Sequence, residues 1–166
     1  MAGNKYVAIS GLDLTEVVSV QASAGAGDAG KIPALDASGL LDATMLPSSG
    51  AVTLTASEAL SAGDMINLHN SSGIKMRKAD NTSASKRAHG FVNSAVSNGA
   101  TGTAMLRSGV NTGVSGLTVG AEYVLGATGG VTVTAPTTAG HILQGVGVAR
   151  SATELEVILT KPCTRA

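Results

Sequence analysis

Short apolar runs, alternating with polar residues at Ala51–Ala56 and Glu154–Val157, recur along the chain outside residues 21–47, and no segment beyond 12 residues has a convincing 3.6-residue period. Lys5–Ser10 and Thr15–Val20 read as two short strands about a Gly11–Asp13 turn. From residue 50 the pattern predicts strands at Ala51–Ala56, Asp64–Leu68 and Ile74–Lys78, with Asn70-Ser71-Ser72-Gly73 as the loop between the last two. His89–Val96 and Thr101–Arg107 form a further pair around Ser97-Asn98-Gly99, whose Asn-Gly step is a strong hairpin signal. Glu122–Leu125 and Val131–Thr134 are joined through Gly126–Gly130, and His141–Ala149 and Glu154–Leu159 complete the set. Short strands with turn chemistry every 8–12 residues predict a mainly β fold, a small β-barrel or β-sandwich.

Between these regions the texture changes. Residues 21–31 (QASAGAGDAGK) have no periodicity and read as a flexible Ala/Gly-rich linker. In residues 32–47 the apolar residues Ile32, Leu35, Leu40, Leu41, Met45 and Leu46 keep neither a helical nor a strand period. Asp36-Ala37-Ser38-Gly39 has the chemistry of a type I turn, and Asp42 suits the cap of one helical turn ending before Pro47. An extended peptide with spaced apolar residues commonly lies in a groove on another surface. The predicted organisation is a strand segment at 1–20, a linker and extended anchoring arm at 21–49, and a β-domain at 50–166.

Composition removes several classes of function. Lys and Arg total 11 against 11 Asp and Glu, and 13% of residues are charged. A nucleic-acid partner would call for a basic excess, which is absent. Mean hydropathy of +0.27 is too high for a disordered chain. Residues 1–11 lack the apolar run of a signal peptide, and the uncharged stretch 123–149 is too broken by Pro136, Gly and Thr to span a membrane. The single Cys163 allows neither a disulfide framework nor a cysteine-based metal site. With one Phe, two Tyr and no Trp, the core must be built from aliphatic residues and Met, which makes self-association an expectation, with uncharged faces such as 123–149 suited to it. The neutral total hides an asymmetry: residues 1–49 carry two basic and five acidic groups, residues 50–166 nine and six.

No candidate catalytic, cofactor or metal constellation emerges. Gly25–Lys31 satisfies G-x-G-x-x-G and nearly a phosphate loop, but Ile32 stands where a Mg²⁺-binding hydroxyl belongs and no helix follows. His69, His89 and His141 are far apart and without partners at ligand spacing. Glu154 and Glu156 alternate with Leu155 and Val157, which places both carboxylates on one solvated strand face. Asn70-Ser71-Ser72 and Asn81-Thr82-Ser83 match glycosylation acceptors without a secretion signal to give them meaning. Lys75, Arg77, Lys78, Lys86 and Arg87 form a basic cluster, read as edge strands kept soluble by charge or as a surface for an acidic partner.

Residues 30–47 (GKIPALDASGLLDATMLP) resemble the G-K-I-x-x-L-D-A-S-G-x-L-D-x-S-x-L-P stretch of tailed-bacteriophage virion proteins, fibre and head-decoration proteins among them. Arg77–Asp80, Ala88–Val92, Gly116–Leu125 and Gly145–Ala149 resemble the β-domain of the head-decoration (capsid cement, head fibre) family, with Val119 where Pro is expected in L-T-P-G. The resemblance implies a non-enzymatic homotrimer on the outer surface of the capsid, with the major capsid protein as partner and no nucleic acid, membrane or small-molecule substrate. A tail-fibre or receptor-binding structural component is the alternative. The anchoring residues expected on this reading are Ile32, Leu35, Leu40, Leu41, Met45 and Leu46.

Overall fold

A computed structural model describes residues 5–10, 12–35, 37, 39–42, 45 and 50–166. The chain divides into two compact units, Met1–Ser49 and Gly50–Ala166. In the first, β1 (Lys5–Ser10) and β2 (Asp13–Val18) pair antiparallel, with Lys5 opposite Val18 and Ile9 opposite Leu14. The second strand lies two residues earlier than the sequence pattern suggests.

The second unit is mainly β, with one short 3-10 segment at Ala84–Lys86. β3 (Ala51–Ala56), β4 (Met65–Asn70), β5 (Ile74–Lys78), β6 (Gly90–Phe91) and β7 (Thr101–Leu106) close a barrel in the order β3-β5-β4-β6-β7. β8 (Ser108–Asn111), β9 (Glu122–Leu125), β10 (Val131–Thr132), β12 (Gly145–Ser151) and β13 (Glu154–Ile158) make a sheet ordered β10-β9-β12-β13-β8, and β11 (Ile142–Leu143) pairs with β14 (Cys163–Thr164). The expected mainly β fold with a small barrel is therefore present.

Strand alternation explains two cores. Val52, Leu54 and Ala56 of β3, Ile66 and Leu68 of β4, Met76 of β5, and Ala104 and Leu106 of β7 fill the barrel. The neighbours Met65 and Phe91 point the other way and pack with Tyr123, Leu125, Val146, Leu155 and Val157 of the sheet. Because both faces of the β4–β6 wall are covered, Met65, Ile66, Phe91 and Val92 are all fully buried.

Three expected strands are shorter or broken. His89–Val96 keeps ladder pairing only at Gly90–Phe91, with a bridge from Val96 to Leu60. Val131–Thr134 keeps only its first two residues. His141–Ala149 is interrupted at Gln144, whose buried side chain accepts from Ala88 N–H (2.8 Å) and donates to the Ala88 carbonyl (3.0 Å), replacing a ladder partner. The L-T-V-G segment forms a turn in which Ala121 N–H donates to Thr118 O, Gly120 has φ +77°, and Tyr123 OH accepts from Thr118 N–H. Val119 is exposed there, so its replacement of the expected Pro removes no core contact.

Candidate functional site

Among the described residues of Met1–Ser49, none is buried. Pairing of β1 with β2 brings Val7, Ile9, Leu14 and Val18 to one face of the hairpin, all exposed, beside the Lys5–Glu16 ion pair at 3.2 Å. A two-stranded hairpin is marginal alone in water, and this one has no third strand in its sheet.

Residues 20–34 close a loop on themselves. Val20 N–H donates to Ile32 O at 3.0 Å and Ala34 N–H to Val20 O at 2.7 Å. Inside it Asp28 accepts from Ala24 N–H at 2.6 Å and pairs with Lys31 Nζ at 2.8 Å. The Lys31 contact, then Ala24 N–H, lowers the Asp28 pKa, so Lys31 of the apparent phosphate-loop match is engaged with a carboxylate.

The loop leaves Ile32 and Leu35 exposed, and Leu40 and Leu41 follow in the same state. Met45 is half-buried, its N–H bonded to Asp42 O at 2.9 Å. Leu46, and with it Asp36, Ser38 and Pro47, falls outside the described residues.

In the second unit the structure takes the basic cluster apart. Lys78 pairs with Asp64 at 3.2 Å. Arg77 Nε donates to buried Asn67 Oδ1 at 2.9 Å, and its guanidinium reaches Ser85 O. Arg87 turns instead toward His89, with Nε 3.1 Å from Nε2. Glu156 pairs with Arg150 at 3.2 Å on the face opposite buried Leu155 and Val157, as the alternation predicts. Among the described residues no three His, Cys, Asp or Glu side chains stand together as a metal site, and no helix is long and apolar enough to cross a membrane.

Two histidines carry depressed pKa values. Burial is the first cause for both; Arg77 and Lys75 add to it at His69, against an opposing Glu58, and Arg87 and Arg107 add to it at His89. Their unfolded value is about 6.5. A depressed folded value means that the unfolded chain takes up protons first, so stability is complete above pH 6.5 and falls as pH drops through the folded values. The melting temperature is expected to decline from pH 7.5 to 5, with a shallower slope in His89→Gln. A flat profile in the parent protein would remove this assignment.

Neither a protein-family model nor a curated protein matches the sequence. Among solved structures the chain is similar to the head fiber gp8.5 N base of bacteriophage phi29, at 13% identity, covering 66% of this chain and 92% of that one, with a TM-score of 0.46.

Proposed function

We propose that this chain is a structural protein of a tailed-bacteriophage virion, a homotrimer on the outer surface of the head that binds the major capsid protein through its first unit. The observation that carries the reading is the division of apolar surface. Val7, Ile9, Leu12, Leu14, Val18, Ile32, Leu35, Leu40 and Leu41 are exposed in a unit with no buried residue described, while the second unit has two cores of its own. Soluble proteins rarely leave such apolar surface uncovered unless a partner covers it. The virion resemblance of residues 30–47 falls on this same surface. The role is adhesive rather than catalytic.

Two partners divide the surface between them. The hairpin face of Val7, Ile9, Leu14 and Val18 suits further copies of the chain. The stretch 123–149 suits them less, because Tyr123, Leu125, Ile142, Val146 and Ala149 are spent on the core. The arm of Ile32, Leu35, Leu40, Leu41, Met45 and Leu46 suits shallow apolar pockets on the capsid. Sedimentation is expected to give a trimer at micromolar concentration, and electron microscopy of virions regular protrusions at local threefold positions. A clean monomer, or heads without protrusions, would overturn the respective half of the reading.

A further inference from the structure

Beside the barrel, where residues 87–89 approach Gln144 and the segment after β13, lies a cavity of about 610 Å³. Arg87, His89, Arg107 and Lys161 line it together with aliphatic Leu68, Leu106 and Leu159, and no carboxylate is among its lining residues. Among the described residues no ion pair includes Arg87, Arg107 or Lys161. Arg87, Arg107 and Lys161, all solvent-exposed, border one open concavity that no carboxylate lines.

The His89 ring sharpens the point. Leu68 N–H donates to Nδ1 at 2.9 Å, so the neutral ring carries its proton on Nε2. Arg87 Nε, always protonated, lies 3.1 Å from that same Nε2. A neutral imidazole offers one acceptor for two donors, which leaves Nε2–H and Arg87 Nε–H facing each other. An oxyanion placed between them would accept from both.

Arg107 adds an independent observation. It joins β7 to β8 with φ +69°, a left-handed backbone that glycine adopts without penalty and a long side chain does not. Its backbone is held by N–H donation to His89 O at 3.0 Å, but among the described residues its guanidinium has no hydrogen bond or ion pair. Glycine would be at ease there, so the backbone itself does not call for the arginine side chain.

We propose that this cavity is an oxyanion site, in which a carboxylate or phosphate group bridges Arg87, His89 Nε2 and Arg107 while Lys161 adds charge. The aliphatic lining favours a carboxylate on a short apolar stem, the chemistry of an Asp or Glu beside Leu in a peptide. The proposal is independent of the virion reading.

The test is a nuclear magnetic resonance titration of the full chain at low ionic strength, with inorganic phosphate in one arm and N-acetyl-Leu-Asp in the other. Saturable shifts at the His89 ring are expected, with the peptide binding more tightly. Tighter phosphate binding would keep the site and overturn the preference for a carboxylate. Arg107→Gly is expected to fold with undiminished melting temperature and to weaken binding about tenfold or more, the loss of one charge-assisted hydrogen bond. Arg87→Gln should weaken it comparably, whereas Arg150→Gln, which removes the partner of Glu156 on the sheet, should not. Unchanged His89 resonances with both probes at roughly 10 mM, a concentration that fills even millimolar sites, would overturn the proposal. Equal weakening by Arg150→Gln would do so as well, because it would reduce the effect to diffuse surface charge.

Discussion

A chain beginning at Ser48 is expected to fold and to lose capsid binding altogether. Gly50 belongs to the barrel, since its carbonyl accepts from Leu106 N–H at 2.7 Å, so the cut leaves the ladder whole. Both cores are built from residues 52–159, and among the described residues no buried side-chain polar atom lacks a partner. What the truncation removes is the exposed apolar surface of the first unit. Burying a Leu-sized side chain stabilises a complex by about 1.5–3 kcal/mol, against about 1–2 kcal/mol for each backbone residue ordered, so a single arm binds weakly. On the proposed reading three arms on one trimer would act through effective concentration, so losing the arm or the trimer is expected to abolish decoration.

Two substitution sets separate these causes. Leu35→Ser with Leu40→Ser and Leu41→Ser should leave a trimer that no longer binds capsids. Ile9→Lys with Leu14→Lys should give a monomer, because it places charge on the apolar hairpin face. Truncated protein that still saturates the shell at the same concentration would move the anchor into the β-unit.

The strand content of Gly50–Ala166 was legible because period-two alternation survives wherever one face is buried. Leu155 and Val157, alternating with Glu154 and Glu156, show this plainly. It fails where both faces are covered: at Met65–Ile66 and Phe91–Val92, adjacent apolar residues enter different cores and the alternation disappears. β8 escaped notice because Ser108-Gly109-Val110-Asn111 has little apolar content, yet it edges the sheet by pairing with β13. Gln144 and Asn111 use side-chain amides in place of backbone partners, which no pattern in the sequence announces. The candidate oxyanion site was half visible as Arg87 in a basic run. Arg107 and Lys161 join it only through the topology that brings the end of β7 and the segment after β13 together.

The exposure of Ile32, Leu35, Leu40 and Leu41 was legible from the lack of a period in residues 32–47. The closed loop of residues 20–34 was not, because it is organised by backbone bonds at Val20 and by one carboxylate, Asp28, in a stretch whose composition suggests only flexibility.

Gly113→Ala is expected to destabilise the β-unit more than most core substitutions of one methyl group. The loop before β4 and the segment after β8 cross with backbones in contact. A Cβ built at Gly113 would overlap the Ala62–Gly63 peptide, and one at Gly63, where φ is +88°, would overlap the Gly113 carbonyl. Backbone on both sides cannot rotate away as a side chain does, so overpacking here belongs at or beyond the upper end of the usual 1–3 kcal/mol. Asn111 clamps the crossing: Nδ2 donates to Gly63 O at 2.9 Å and Oδ1 accepts from Gly113 N–H at 3.0 Å. Asn111→Ala leaves the Gly63 carbonyl without this donor and is expected to cost about 1–3 kcal/mol. The two substitutions share partners, so the double variant should lose less than the sum. Gly27→Ala, with nothing within 4 Å of its Cβ, should stay within about 0.5 kcal/mol of the parent. Denaturant melts of the parent and the four variants measure all of this, and a Gly113→Ala variant as stable as Gly27→Ala would mean that the two backbones do not touch in solution.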